Sequence, residues 1–156
     1  MKFSADEKIM KDEKIKKVFI EGPITPAFIG ESIASHSKRK DIGAHSIFLG
    51  QVRNDIIDGK EVAAIEYTSY TEMAEEKFHE IREEMFEKYS LTCMHIYHSI
   101  GRVNTGEISL FVFTSSVHRK DSTEANREIV ERIKKDIPVW GKEIFDGEKF
   151  HWKINS

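Results

Sequence analysis

The chain has 156 residues, a formal net charge of −3 and a single cysteine, Cys93. The slightly acidic balance excludes a general nucleic-acid binder, because binding to a phosphate backbone depends on accumulated Lys and Arg charge. One cysteine excludes an intramolecular disulfide, and no apolar run has the length of a signal peptide or a membrane span. These features predict a soluble cytoplasmic protein with no membrane partner.

The length fits one domain with a sizeable core, and we expect a single domain over residues 1–156. The first residues alternate charged and isolated apolar side chains, so residues 1–16 are expected to be a disordered or loosely packed extension.

The first half of the chain predicts a strand, a helix and a hairpin. The segment "KVFIEG" is typical of a strand, and Gly22-Pro23 ends it. Thr25 has the position of an N-cap, with proline next, for a helix over "AFIGESIASH". After it, "GAHSIFLGQVRND" predicts a strand and "EVAAIEYTSY" its antiparallel partner, joined by a turn near Asp58-Gly59.

The second half predicts two long helices and four more strands. Apolar residues recur at helical spacing in "TEMAEEKFHEIREEMFEKYS", with Thr71 as cap. The strands "LTCMHIYHSI" and "EISLFVFTSSV" follow, and a last helix runs from near Ser122 to just before Pro138. A final hairpin turns at Asp146-Gly147. This order predicts an α+β fold, a mostly antiparallel sheet with helices packed on one face.

Several basic residues fall at the ends of these predicted elements. Arg53 ends a strand, His118 and Arg119 lie between a strand and a helix, and Lys134 and Lys142 flank "DIPVWG". Each has an ordinary explanation, such as a surface ion pair or a lysine favoured by a helix dipole. Together they indicate an anion site, because loops at element ends can converge. The spacing of His and Cys residues matches no zinc motif, so the sequence predicts no metal site.

Five ordered blocks carry a family resemblance: "GQVRND", "EYTSYTEMAE", "HSIG", "SSVHR" and "IKKDIPVWGKE". Over residues 43–152 the chain resembles the large, catalytic subunit of molybdopterin synthase. The resemblance implies an α/β hammerhead fold with an additional antiparallel β subdomain. It also implies sulfur transfer from the C-terminal Gly-Gly thiocarboxylate of a small ubiquitin-like carrier to cyclic pyranopterin monophosphate. The implied assembly is a homodimer within a heterotetramer, with no cofactor.

The resemblance also assigns roles to residues of this chain. Arg53, His118 and Arg119 are implied to bind the pterin phosphate and the thiocarboxylate, and Lys134 is implied to be catalytic. Family members usually carry a second lysine directly after the tryptophan, where this chain has Gly141, and Lys142 comes one residue later. In a regular strand Lys142 faces away from the expected site, whereas a bulge at Gly141 would redirect it.

Two other functions stay open at the level of sequence. A non-catalytic relative would bind the carrier or the pterin phosphate without turnover, as a result of the Gly141 change. An unrelated phosphate-ester enzyme would use His118 and Arg119 together with an acid-base partner or a metal. An assay for dithiolene product distinguishes the synthase from the non-catalytic relative. A metal assay on the purified protein tests for the phosphate-ester enzyme.

Overall fold

The computed structural model describes residues 18–146 and 150–153, without the side chain of His151. The expected extension over 1–16 and the glycine of the Asp146-Gly147 turn lie outside these residues. The described strands are β1 (Phe19–Glu21), β2 (Ala44–Gln51), β3 (Ile56–Ile57), β4 (Lys60–Ser69), β5 (Cys93–Asn104), β6 (Ile108–Ser116), β7 (Val139–Phe145) and β8 (Phe150–Trp152). The described helices are α1 (Pro26–His36), α2 (Thr71–Lys88) and α3 (Arg119–Asp136).

The strands form a mixed sheet in the order β2-β6-β5-β4-β7-β8, with β3 paired to β4. All of these pairs are antiparallel, and β1 joins β5 in parallel. The predicted α+β class is therefore confirmed. The two strands of the predicted final hairpin are also confirmed, since β7 and β8 pair antiparallel with Lys142 opposite Trp152.

The predicted pairing of β2 with β4 is wrong. Strand β2 pairs with β6, from Ala44 opposite Ser116 to Gln51 opposite Ile108. The turn at Asp58-Gly59 does exist, with φ of 51° and 76°, but it joins β4 to the two-residue strand β3. Strand β4 carries a buried apolar face and lies between β5 and β7. Turn residues determine only which strand pairs across the turn. Pairing with strands distant in sequence depends on which apolar faces are buried together.

The core has two sides, because β6 is buried on both of its faces. Its Leu110 and Val112 pack with the apolar stripes of α2 and α3. Its Phe111 and Phe113 point the opposite way, where Phe28 of α1 covers them. The prediction of helices on one face thus holds for the two long helices and is wrong for α1.

The helix ends set where the basic residues lie. Thr25 caps α1 as predicted, accepting a hydrogen bond from the Phe28 N–H at 3.1 Å. Tyr70, not Thr71, is the N-cap of α2, and its side chain makes no capping bond. Helix α3 begins at Arg119, a few residues before the predicted start, and ends at Asp136 ahead of Pro138. Lys134 therefore lies in the last turn of α3, beside the start of β7.

Within the described ranges, no helix combines the length and the apolar character needed to cross a membrane.

Candidate active site

A cavity of about 90 Å³ opens between the C-terminal end of α3 and the strands β4 and β7. Its walls come from six separate parts of the chain, so no local motif encodes it. The lining residues are Gly50, Gln51, Ile65, Tyr67, His98, Ser109, Ile133, Lys134, Ile137, Val139, Gly141 and Lys153.

Two lysines line this cavity, and an arginine lies near it. Part of the Lys134 side chain is exposed, but the surrounding protein removes enough water to lower the pKa of Lys134 below its ordinary value. The positive charges of Lys153 and Arg53 lower that pKa further. Like charges gathered in this way stabilise a bound anion and make an ammonium group a better proton donor.

Lys153 stands opposite Gly141 on the neighbouring strand. The β7–β8 register pairs Lys142 with Trp152, and the Lys153 N–H donates to the Gly141 carbonyl at 2.9 Å. Directly paired residues of antiparallel strands point to the same side. Gly141 has no side chain, so the side chain of Lys153 lines the part of the cavity wall that a side chain at position 141 would otherwise occupy. A Cβ at Gly141 would meet the Ile65 Cγ2 at 2.9 Å.

Lys142 lies on the other face of β7. It pairs with Glu66 in a register that runs without a break past Gly141, so the structure has no bulge there. Its ammonium is 4.0 Å from a Glu66 carboxylate oxygen and 4.7 Å from the centre of the Phe150 ring. The structure therefore does not bring Lys142 to the cavity. Trp140 is exposed on the same face and packs edge-on against Tyr70.

A neutral histidine forms the floor of the cavity. The Nδ1–H of His98 donates to the Ser99 carbonyl at 2.7 Å. Burial, partly opposed by that bond and helped by the charge of Lys134, lowers the pKa of His98 to about 4. Next to it, the Tyr67 hydroxyl donates to Ser109 Oγ at 3.2 Å. The floor is thus uncharged at neutral pH while the rim is cationic.

The other predicted anion-binding residues do not line the cavity, although Arg53 lies near it. Arg53 follows β2, is largely exposed, and pairs with Asp55 at 3.2 Å. His118 and Arg119 line a shallow groove with residues 43, 44, 117 and 120. That groove is at the far end of β6 from Ser109 of the cavity. At about 3.4 Å per residue, the two sites of one chain are roughly 25 Å apart.

Of the predicted site residues, Lys134 lines the cavity and Arg53 lies near it, while sequence reasoning did not select Lys153, His98 or Tyr67. A usable signal existed for Lys153: extending the predicted hairpin register away from its turn puts residue 153 opposite residue 141. His98 and Tyr67 lie within the blocks "HSIG" and "EYTSYTEMAE", but no local pattern places them in a site, because their position depends on the pairing of β4 with both β5 and β7.

The fold and the cavity define a class: an α+β protein with a small cationic site formed by a helix end and a β-hairpin. Comparison with known proteins identifies the family within this class. A family described as "MoaE protein" matches residues 24–136, and the chain belongs to this family. The resemblance found in the five sequence blocks is thereby confirmed.

Named relatives and a solved structure agree with this assignment. The chain is 37% identical over 121 residues to the molybdopterin synthase catalytic subunit of Bacillus subtilis, covering 77% of this chain and 76% of that one. The chain is 40% identical over 116 residues to the molybdopterin synthase catalytic subunit of Staphylococcus aureus, and the match covers 72% of this chain and 78% of that one. The match to the bovine catalytic subunit, 35% identical over 114 residues, covers 73% of this chain and 60% of that longer protein. The crystal structure of molybdopterin synthase from S. aureus superposes with a TM-score of 0.77 at 32% identity, covering 89% and 97%.

We predict that His98 makes stability fall at acid pH. Its pKa is about 4 in the fold and about 6.5 when unfolded, so the unfolded chain binds more protons between these values. Stability is then lost as the pH falls from about 6.5 to about 4, by up to about 3 kcal/mol. Denaturant unfolding of wild type and His98→Asn across this range measures the difference. Identical pH profiles in the two proteins would contradict the assignment.

Proposed function

We propose that this chain is the catalytic subunit of a molybdopterin synthase. In this proposal it transfers sulfur from the thiocarboxylate of a small ubiquitin-like carrier protein to cyclic pyranopterin monophosphate, forming the dithiolene of molybdopterin. The observation that carries the proposal is the narrow cavity whose wall holds Lys134 and Lys153.

The size of the cavity supports entry of a peptide terminus. Pockets that enclose drug-sized molecules have volumes of about 300–1,000 Å³. A cavity of about 90 Å³ is far smaller and suits a slim Gly-Gly tail ending in a thiocarboxylate. The pterin would then lie outside the cavity, with its reacting carbon at the mouth.

Lys134 has the position and the electrostatics for the chemical step. The thiocarboxylate sulfur first replaces an oxygen substituent on the pterin side chain, which leaves as water or as a phosphate oxygen, and this gives a thioester between the carrier and the pterin. Water then attacks the carbonyl carbon of the tail, and negative charge develops on its oxygen. A cation held beside that oxygen stabilises the charge. The lowered pKa of Lys134 also suits it to give a proton to the departing group. The carrier leaves as a carboxylate, and the sulfur stays on the pterin.

Lys153 supplies the second cation in this proposal. The family's usual lysine is absent at Gly141, and the ammonium of Lys153 enters the same cavity from the paired strand. Lys142, which was the sequence candidate for this role, instead pairs with Glu66 on the outer face.

Arg53 and the His118-Arg119 pair are proposed to hold the phosphate of the pterin. A guanidinium offers a planar pair of donors to phosphate oxygens. Arg53 is close enough to Lys134 to lower its pKa. His118 and Arg119 are roughly 25 Å from the cavity of their own chain, so they serve it only from a second copy. The proposal therefore includes a homodimer, with the carriers completing a heterotetramer.

A cytoplasmic location completes the proposal. It is supported by the single cysteine of the sequence, because small domains of oxidising compartments usually carry several cysteines in disulfides.

We expect purified protein, thiocarboxylated carrier and cyclic pyranopterin monophosphate to yield the dithiolene, detected as a fluorescent pterin after oxidation. Lys134→Ala should lower the rate by about 100-fold or more while carrier affinity changes little, because the charge acts in the transition state. Carrier binding without product from the wild-type protein would favour the non-catalytic alternative. Full activity in the variant would contradict the role of Lys134.

We expect Lys153→Ala to slow sulfur transfer by about tenfold or more, because one cation of the cavity is lost. The residual activity should decline at higher pH than in wild type, since the pKa of Lys134 rises without its neighbour's charge. Lys142→Ala is the matched control and should keep activity within about threefold. Adding Gly141→Lys to Lys153→Ala should restore part of the rate, provided that Ile65 moves aside. A larger loss in Lys142→Ala than in Lys153→Ala would contradict this assignment.

Mixing two inactive variants tests the shared site. Lys134→Ala and Arg119→Ala should each be inactive alone, because each lacks one half of every site. After exchange of subunits at equal concentrations, half of the dimers contain both variants, and each of these has one intact site. We expect about a quarter of wild-type activity to return. No recovery, with exchange verified by mass spectrometry, would show that a second copy does not complete the site.

A further inference from the structure

We propose that the chain contains a Zn²⁺ site formed by His36, Cys93 and His95, separate from the cavity of the proposed reaction. One ligand atom of each residue lies within 4.8 Å of those of the other two. His36 is the last residue of α1, and Cys93 and His95 lie on β5. The sequence has no zinc motif because residues 36 and 93 are far apart in the chain, and only the packing of α1 on the sheet unites them.

The strand geometry explains how the donors meet. Cys93 and His95 are two residues apart on β5 and therefore point to the same face of the sheet. This is the face of Phe113, which pairs with His95 and whose ring lies 4.6 Å from that of His36. The C-terminal end of α1 thus brings His36 directly over the two strand residues.

The hydrogen bonds of His36 select the tautomer that a metal requires. Its Nδ1 lies 2.6 Å from the Ser32 carbonyl oxygen, which can only accept, so Nδ1 carries the proton. The lone pair is then on Nε2, which lies 3.0 Å from the Nε2 of His95. An imidazole that donates Nδ1–H to a backbone carbonyl and coordinates through Nε2 is the usual arrangement in metal sites.

The distances are close to those of an occupied site. Zinc binds nitrogen at about 2.0–2.1 Å and thiolate sulfur at about 2.3 Å, which separates ligand atoms by about 3.3–3.6 Å in a tetrahedron. Shifts of about 1 Å or less therefore close the cluster around the ion. Without metal, the His95 Nε2–H donates to the His36 Nε2. On binding, His95 changes tautomer and the Cys93 thiol releases its proton to solvent, leaving a fourth position for water.

The donor set favours Zn²⁺ over other common ions. Two imidazoles and one thiolate are borderline-soft ligands, whereas Mg²⁺ and Ca²⁺ require oxygen ligands. A bound ion would tie the end of α1 to β5 and so stabilise the fold through binding to the native state.

Untagged protein titrated with Co²⁺ tests the site. Co²⁺ bound to the thiolate should give a near-ultraviolet charge-transfer band together with tetrahedral visible bands. Cys93→Ser should abolish the charge-transfer band, and His36→Gln should weaken Co²⁺ binding by at least about tenfold. His79→Gln, a histidine on α2 that lies outside the cluster, is the matched control and should bind as wild type does.

Thermal unfolding with Zn²⁺ gives an independent readout. The midpoint should rise with Zn²⁺ concentration in wild type and in His79→Gln, and at the same Zn²⁺ concentration it should rise much less in His36→Gln and Cys93→Ser. Circular dichroism without metal verifies that the variants fold. The absence of saturable Co²⁺ binding in wild type would overturn the proposal. Binding that is unchanged by both ligand substitutions would overturn it equally, since the ion would then lie elsewhere.

Discussion

The pairing of β4 with both β5 and β7 is the constraint on which the rest of the structure depends. Strand β4 joins the part of the sheet that carries the helices to the C-terminal hairpin. Its register with β7 sets Tyr67 opposite Gly141 and Glu66 opposite Lys142. A slip of one residue would exchange the two faces, moving Lys142 into the cavity wall and Gly141 out of it.

This register determines the electrostatics of the cavity. Lys134 lies in the last turn of α3, and Lys153 is the residue after β8. Their charges and that of Arg53 reinforce each other around a floor made of neutral His98 and the Tyr67 hydroxyl. Such an arrangement is costly without an anion, which is typical of a site preorganised for one.

Strand β6 governs a second feature, the distance between the two basic sites. It is buried on both faces and runs from the cavity at Ser109 to the groove before His118. A rigid strand cannot bring its ends together, so the groove and the cavity of one chain stay far apart. On the face of β6 that α1 covers, the His36, Cys93 and His95 cluster forms where the helix end meets β5.

The sequence by itself determined the elements and the family. Helical periodicity predicted α2 and α3, the Thr25-Pro26 pair predicted the start of α1, and the Asp146-Gly147 signal predicted the last hairpin, because these depend on local chemistry. Lys134, predicted as catalytic, lines the cavity, and Arg53, predicted to bind substrate, lies near enough to lower the pKa of Lys134. Only the tertiary structure decided that β2 pairs with β6, that α1 lies on the opposite face from α2 and α3, and that Lys153 rather than Lys142 enters the cavity. Pairing between distant strands depends on which surfaces bury together, and neither turn residues nor periodicity specifies that partner.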